Sequence, residues 1–238
     1  MTTVADNIAS TDKGKGLAGS GLVVIWNGIR DDKREDFMEW HPRQHMVERL
    51  SIPGFLRGRR CIALDGTPDF LTIYELQSPD VLLTDIYKQR LANPTEWSTA
   101  TLPAFTANTR GACRILFTEG YAMGGFILTV RFAAQEGRES ALIGAVREAM
   151  PRVTSTPRIT GAHFAQNDTS LTGGNAGSQR GRVILLPELI VMIEGSEAEA
   201  VAAAGEALLS NDALRRMGAK PEVERGLYQL EYSIPRLW

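Results

Sequence analysis

The order of predicted elements repeats within the chain, and this repeat limits the fold more than any other feature. Runs rich in β-branched and aromatic residues predict strands, and apolar residues at helical spacing predict helices. Both halves have the order strand, helix, strand, strand, helix, strand, at an offset of about 100 residues and with little sequence identity. The strands are predicted at residues 21–29, 55–64, 69–76 and 110–118, and again at 125–132, 157–165, 182–193 and 222–234.

The helices fall between these strands at matching positions. They are predicted at residues 31–50, 78–91, 138–150 and 196–217. Pro42 lies inside the first helix and should kink or split it. The connection at 93–108 has no clear period and is long for a linker, which predicts a packed or functional loop. The Gly/Ser-rich stretch at 168–181 predicts a flexible hairpin tip.

The repeated order predicts an α+β fold. Each copy has the βαββαβ order of a ferredoxin-like half, an antiparallel sheet with helices on one face. Apolar residues on both sides of the strands indicate that the second face is covered too. We therefore predict that the two sheets pack against each other as an internal, barrel-like pseudo-dimer. The predicted divisions are a mobile N-terminal tail at 1–19, a first repeat at 20–119 and a second repeat at 120–238.

The composition excludes several classes of protein. The chain of 238 residues is 43% hydrophobic with a net charge of −2, which is ordinary for a protein with a buried core. Its basic residues are dispersed and its apolar runs are short, so neither nucleic acid nor a membrane is an expected partner. Cys61 and Cys113 have no disulfide or metal spacing, which favours reduced thiols and a cytoplasmic location. The expected partner is a small-molecule substrate, and the expected state is a monomer or homodimer.

The first helix carries most of the side chains that could act as an acid or a base. His41 and His45 fall with Phe37 and Glu48 within an arc of about 80° on a helical wheel. His45 is the best general-base candidate, because a neutral imidazole can take a proton from a carbon acid or phenol, with Glu48 or His41 orienting it. One alternative is a structural histidine under the Pro-Gly turn. Another is a divalent metal held by the two histidines, although Pro42 disturbs that geometry.

Other side chains of the first repeat would complete a pocket. Tyr74 and Asn27, on neighbouring strands, could donate hydrogen bonds to a developing oxyanion. Strand alternation places Arg57 and Arg59 on one face and Arg60 on the other, and one of these, with Arg59 preferred, could clamp a carboxylate or enolate. The alternative roles are core packing and ion pairs. An aromatic lining is predicted from Trp26, Trp40, Tyr87, Trp97 and Phe105.

The layout from Leu22 to Ile234 resembles the dimeric α+β barrel superfamily, which includes EthD-like proteins and antibiotic-biosynthesis monooxygenases. A local likeness to the EthD-like pattern, a histidine on the first helix followed by a Pro-Gly turn, runs through Trp40, His45-Met46-Val47-Glu48-Arg49-Leu50, Ile52-Pro53-Gly54-Phe55 and Arg57-Gly58-Arg59-Arg60. The resemblance implies a cleft between the first helix, the inner sheet face and nearby loops, with His45 in it. The first helix of the second half has no histidine, which implies an active first half and a structural second half.

The resemblance also bears on cofactors. Haem-carrying members such as chlorite-dismutase-like proteins use a histidine of the second half, and here only His163 remains for that role. It lies on a predicted strand, so haem is not expected, and neither an organic cofactor nor a metal is predicted. We predict a cofactor-independent catabolic enzyme, a lyase, isomerase or decarboxylase, in which His45 moves a proton on a small aromatic or apolar intermediate. The alternatives are a cofactorless monooxygenase of the same fold and a non-catalytic ligand-binding or stress-response protein.

Overall fold

The computed structural model describes residues 16–65, 68–172 and 188–236. Several predicted features lie wholly or partly outside these ranges. They are most of the N-terminal tail (1–15), the tip of the first hairpin (66–67), most of the Gly/Ser-rich stretch (173–181) and the start of the strand predicted at 182–193.

Eight antiparallel strands in the described ranges close into a barrel. They are β1 Gly21–Ile29, β2 Phe55–Asp65, β3 Phe70–Leu76, β4 Phe105–Gly120, β5 Phe126–Ala134, β6 Ile159–Asn167, β7 Leu189–Gly195 and β8 Ala219–Pro235. The helices are α1 Arg34–Trp40, α2 Met46–Leu50, α3 Asp85–Ala92, α4 Glu96–Thr101, α5 Glu139–Thr154, α6 Ala198–Leu209 and α7 Asn211–Met217, with a π-helical turn at His41–His45. None of these helices is long and apolar enough to cross a membrane.

The strand order confirms the predicted tandem repeat. Around the barrel the order is β1-β3-β2-β8-β5-β7-β6-β4. Each repeat contributes four adjacent strands, with its last strand at one edge next to its first. The repeats join where β2 meets β8 and where β4 meets β6. The fold is therefore an α+β barrel made from two ferredoxin-like halves in one chain, and β8 of the second repeat lies directly beside the first.

Alternation along the strands explains why both sheet faces are apolar. On β1, Leu22, Val24 and Trp26 belong to a buried cluster in the barrel interior. Their neighbours Val23 and Ile25 pack on the outer face, which the helices cover. A strand in a closed barrel under a helical layer has no solvent-facing side, so the sequence reads as continuously apolar.

The two helical layers differ in chemistry. In the second repeat, α5 places Leu142, Val146, Met150 and Val153 on the outer face of the sheet, inside a large apolar cluster. Truncating one of these to alanine would cost about 2–5 kcal/mol. In the first repeat the corresponding layer, under α1 and α2, holds both buried histidines of the first helix.

Candidate functional site

A π-helical turn carries both histidines to the sheet. In it, the N–H of Met46 donates to the carbonyl of His41, five residues back. Pro42 has no N–H to continue the α-helical ladder, so the irregular turn forms at that point. The kink or split expected at Pro42 takes this form. Single π turns inside helices are frequent at functional sites.

Two glycines let this helix lie close to the sheet. Gly54 has a φ of +94° and turns the chain from α2 into β2. On β2, a Cβ added to Gly58 would lie 2.1 Å from the sulfur of Met46. The helix thus rests on bare backbone at Gly58, which brings the histidines within reach of the strand side chains.

His41 is held by two side chains from different strands. Its Nδ1 lies 2.6 Å from the hydroxyl of Tyr232, and its Nε2 lies 3.4 Å from the hydroxyl of Thr72. Burial, and then the charge of Arg60, lower the pKa of His41 well below its ordinary 6.5. Burial raises the pKa of Tyr232. At neutral pH the phenol therefore keeps its proton and donates to a neutral imidazole.

Tyr232 belongs to the second repeat and was not among the predicted site residues. It reaches the site because β8 pairs with β2. Arg60 is the partner of Tyr232 on one side and of Thr72 on the other, so the three residues form one row across the sheet. The alternation of tyrosines along the last strand was the pattern that could have identified Tyr232. It points to this site only when the strand order is known.

His45 is the second buried histidine of the layer. It is 9% exposed, its ring centre lies 4.4 Å from that of Trp40, and it lies 5.6 Å from the ring of His41. Its Nδ1 is enclosed and has no hydrogen-bond partner among the described residues. Burial, followed by the charges of Arg49 and His41, lowers the pKa of His45 well below 6.5. The ring is therefore a neutral base at pH 7.

Tyr74 lies under the same helical layer, in a buried cluster with Met46 and Leu50 of α2. Its hydroxyl is buried and, within the described ranges, also lacks a hydrogen-bond partner. Burial raises the pKa of Tyr74, with Arg49 opposing and Glu48 adding to the shift, so it remains a proton donor at neutral pH. Glu48 thus lies near Tyr74, and the described contacts include no hydrogen bond from it to His45.

An aromatic cluster forms one wall of the site. Trp40 packs with Phe37 and with Phe105, at ring-centre distances of 6.2 Å and 6.1 Å. Trp97 packs against the same cluster, and its indole N–H donates to Asp36 at 2.9 Å. The connection at 93–108 is therefore a packed segment containing α4, which lies against α1.

The remaining predicted residues do not all join this site. Asn27 is buried on β1, and its amide donates to the carbonyl of Gly28. Trp26 points into the barrel, where its indole donates to Thr129 at 3.2 Å. Arg59 also points inward, so the structure does not bring Trp26 and Arg59 together with His45.

The arginines of β2 follow the predicted alternation. Arg59 is fully buried in the barrel and pairs with Glu194 at 2.7 Å and Glu75 at 3.3 Å. Arg60 lies on the outer face, where it makes a two-pronged pair with Glu231 and lies over the ring of Tyr232 at 4.7 Å. Both guanidinium groups are engaged by carboxylates of the second repeat.

Two surface grooves lie away from these histidines. One runs between α5 and α7, with Arg138 and Arg216 among its lining residues, and the other runs between α5 and α6. Alanines line much of both. Because acid–base chemistry needs titratable groups that face each other, we take the layer under α1 and α2 as the candidate site.

The histidine pair has no third metal ligand in the described part of the chain. No group of three His, Cys, Asp or Glu side chains there could hold a metal ion together. His163, the haem candidate, lies on β6 and is 2% exposed. Its Nδ1 is 2.8 Å from the Thr118 hydroxyl, and its Nε2 is 3.3 Å from Glu194. Both ring nitrogens are occupied, so this arrangement does not fit an axial haem ligand.

Comparison with known proteins establishes the fold. No family model and no curated protein matches the sequence. Among solved structures, an anthrone oxidase-like protein matches with a TM-score of 0.64 at 13% identity, covering 92% of this chain and 93% of that chain. A monooxygenase candidate from Fusobacterium nucleatum subsp. nucleatum ATCC 25586 matches with a TM-score of 0.61 at 6% identity, covering 92% and 96%. The structural neighbours are thus monooxygenase-like and anthrone oxidase-like proteins, and the predicted dimeric α+β barrel fold is confirmed.

The comparison also corrects the prediction about cofactors. A candidate chlorite dismutase shares the fold, with a TM-score of 0.53 at 12% identity over 89% of this chain and 94% of that chain. Chlorite-dismutase-like proteins are the haem-carrying type considered above. The prediction that no cofactor is needed and that haem is not expected is therefore wrong as an inference from this fold. The polar face of the first helix carries no recognisable cofactor motif, but this does not show whether a cofactor binds. The same barrel fold occurs in haem-carrying proteins and in monooxygenase-like proteins.

Proposed function

We propose that this protein is a monooxygenase-type enzyme that oxidises a small phenolic or enolisable polycyclic compound, with His45 as the base. One observation carries the proposal: under the helical layer, Nδ1 of the neutral His45 and the hydroxyl of Tyr74 are both enclosed without a hydrogen-bond partner in the described ranges. Unpaired buried polar atoms are costly, and active sites are where proteins retain them. The names of the anthrone oxidase-like and monooxygenase-like neighbours support this class of reaction.

The first step is a proton transfer. His45 takes a proton from the hydroxyl or activated methylene of the substrate, and the negative charge moves to the substrate oxygen. Tyr74 donates its O–H to that oxygen, as an oxyanion-stabilising group does. Trp40, which already packs against the ring of His45, would form the wall for a flat substrate.

The second step needs molecular oxygen as co-substrate. The electron-rich anion reduces O2, and an activated CH2 group becomes a carbonyl. One oxygen atom enters the product and the other leaves as water with the two hydrogens removed from the carbon. The overall change, R2CH2 + O2 → R2CO + H2O, balances atoms and electrons.

Entry requires the helical layer to move. His45 is only 9% exposed, and its ring packs against Trp40 at the end of α1. Closure over a bound substrate excludes water, which strengthens the hydrogen bond from Tyr74 to the developing charge.

A second candidate function uses the same proton transfer without oxygen. His41, with its Tyr232 partner, lies 5.6 Å from His45 between ring centres. A second neutral imidazole at that distance could return the proton to another carbon atom. This would make the protein an isomerase or lyase, in keeping with the original prediction.

His45→Gln tests the proposal, with anthrone as probe and oxygen uptake as readout. The wild type should consume one O2 per anthrone, and the variant should be about 10²–10⁴-fold slower, the usual contribution of a general base. Arg43→Gln, at an exposed position of the same π turn, is the control and should match wild type. A folded His45→Gln variant within threefold of wild type would contradict the role of His45. Turnover of enolisable substrates without oxygen would favour the second candidate.

A further inference from the structure

Arg49 is an unusual arginine in this protein. It lies on α2, one helical turn after His45, and its Nη1 is enclosed without a hydrogen-bond partner in the described ranges. A guanidinium group stays charged at all relevant pH values, so it cannot escape burial by losing its proton. Enclosing part of it without an acceptor is therefore costly.

The other enclosed arginines have counter-ions. Arg59 pairs with Glu194 and Glu75, Arg60 with Glu231, and Arg131 with Glu224. No such carboxylate pairs with Arg49 among the described residues. Three buried arginines have acids, whereas the half-buried Arg49 has none in the described part of the chain, which leaves its enclosed N–H open to a ligand carboxylate.

Arg49 acts on the two groups already assigned to the site. After burial, it makes the largest contribution to the lowered pKa of His45. It is also the strongest influence after burial on the pKa of Tyr74. Arg49 lies on α2 between Met46 and Leu50, which share a buried cluster with Tyr74. His45 Nδ1, Arg49 Nη1 and Tyr74 Oη are among the enclosed atoms without a hydrogen-bond partner in the described ranges.

We propose that Arg49 forms a subsite for a carboxylate group beside Tyr74, so that the substrate is an aromatic carboxylic acid. This inference rests on the proposed function, because it assigns the substrate class to the same site. Arg49 offers N–H donors and a carboxylate has two oxygens that can accept from them, which leaves the O–H of Tyr74 for the oxyanion. With these donors on the acid group, the aromatic ring lies toward Trp40 and the reacting carbon toward His45.

The apolar surroundings strengthen such a subsite. Tyr74 belongs to a cluster with Met46, Leu50 and Phe55, each at most 2% exposed. A charge-assisted hydrogen bond in this setting competes with little water, and it contributes more than a neutral one. We expect a carboxylate to bind about tenfold to a hundredfold more tightly than a neutral analogue of the same shape.

Binding, measured apart from turnover, tests the subsite. The probes are naphthalene-2-carboxylate, its methyl ester and 2-naphthol, and their binding is measured by isothermal titration calorimetry. Wild type should prefer the carboxylate over both neutral probes at least tenfold. Arg49→Gln should remove that preference. Glu48→Gln should tighten carboxylate binding, because it removes a negative charge near Tyr74.

Arg43→Gln is the matched control, since Arg43 is an exposed arginine paired with Glu39 on the neighbouring turn. It should leave the preference unchanged. The subsite is ruled out if wild type binds the three probes equally, if it binds no carboxylate at millimolar concentration, or if Arg43→Gln and Arg49→Gln lose equal affinity. If the wild type prefers the carboxylate but consumes no oxygen with anthrone, the proposed function is overturned and the subsite is not.

Discussion

The hydroxyl of Tyr232 lies 2.6 Å from Nδ1 of His41, and this contact joins the two repeats across 191 residues of sequence. His41 comes from the first helix of the first repeat, whereas Tyr232 comes from the last strand of the second. The pairing of β8 with β2 creates the contact, so the candidate site is not the property of one repeat. A protein with only the first repeat would lack one of the two partners of His41.

Removing the hydroxyl of Tyr232 should destabilise the protein. Tyr232→Phe leaves Nδ1 of His41 buried without its donor, which costs about 1–3 kcal/mol in the free energy of unfolding. Urea unfolding measures the loss. Tyr228→Phe is the control on the same strand, because Tyr228 points into the barrel and its hydroxyl makes only a long 3.4 Å contact with the carbonyl of Pro68. Equal losses in the two variants would show that the contact with His41 contributes nothing of its own.

Stability should fall when the pH drops below about 6.5. Burial lowers the pKa of His41 and His45 in the folded protein, whereas the unfolded chain keeps the ordinary value of 6.5. Between the lowered pKa values and 6.5, the unfolded state binds protons that the folded state does not, so the free energy of unfolding rises with pH. The contribution of the two histidines to stability is fully present above pH 6.5.

At pH 5.5 we expect a loss of about 1.4 kcal/mol for each histidine relative to pH 7.5. Urea midpoints at the two pH values measure it. The double variant His41→Gln, His45→Gln should flatten the dependence in this range, and Arg43→Gln should not. A double variant with the wild-type slope would mean that other groups cause the pH dependence.

A side chain at Gly58 should displace α2. The Cβ of Gly58→Ala would lie 2.1 Å from the sulfur of Met46, which is itself fully buried. Overpacking of this kind costs about 1–3 kcal/mol, and it should also change the environment of His45 on the same helical layer. Thermal unfolding and tryptophan fluorescence measure the two effects.

In a Met46→Ala background, Gly58→Ala should cost less than it does in the wild type, since the sulfur that the new methyl group meets is gone. Gly144→Ala is the control, because an added Cβ there has no neighbour within 4 Å and alanine favours the helix α5. A Gly58→Ala variant as stable as Gly144→Ala would contradict the close approach of α2 to the sheet.

Breaking the buried ion pair in the barrel should cost more than breaking an exposed one. Burial alone would raise the pKa of Glu194, but Arg59, His163 and the N–H of Gly124 hold it far below its ordinary value. Glu194→Gln leaves the fully buried Arg59 with less compensating charge, at a cost of about 3–5 kcal/mol.

Glu39→Gln is the matched control for Glu194→Gln. Glu39 pairs with Arg43 at 2.7 Å, but the two side chains are 57% and 72% exposed. Such a pair contributes at most about 1 kcal/mol. Denaturant unfolding of the two variants side by side measures the difference, and a cost at Glu194 no greater than that at Glu39 would show that burial does not strengthen the pair.

The sequence by itself determined the features that depend on neighbouring residues. The repeated order of strands and helices, the irregular helix at Pro42 and the alternation of Arg59 and Arg60 across β2 all follow from local periodicity and backbone chemistry. The clustering of His41 and His45 on one helical face was visible for the same reason. These features needed no knowledge of what lies opposite.

Only the tertiary structure decided which face of each strand meets the helices. Both faces of β1 are buried and apolar, so the sequence could not assign Trp26 to the barrel interior and Ile25 to the helical layer. Nor could it join Tyr232 to His41, or show that Arg59 pairs with two carboxylates while Arg49 pairs with none among the described residues. Such pairings depend on closure of the barrel, which brings together residues from opposite ends of the chain, and local periodicity carries no record of them.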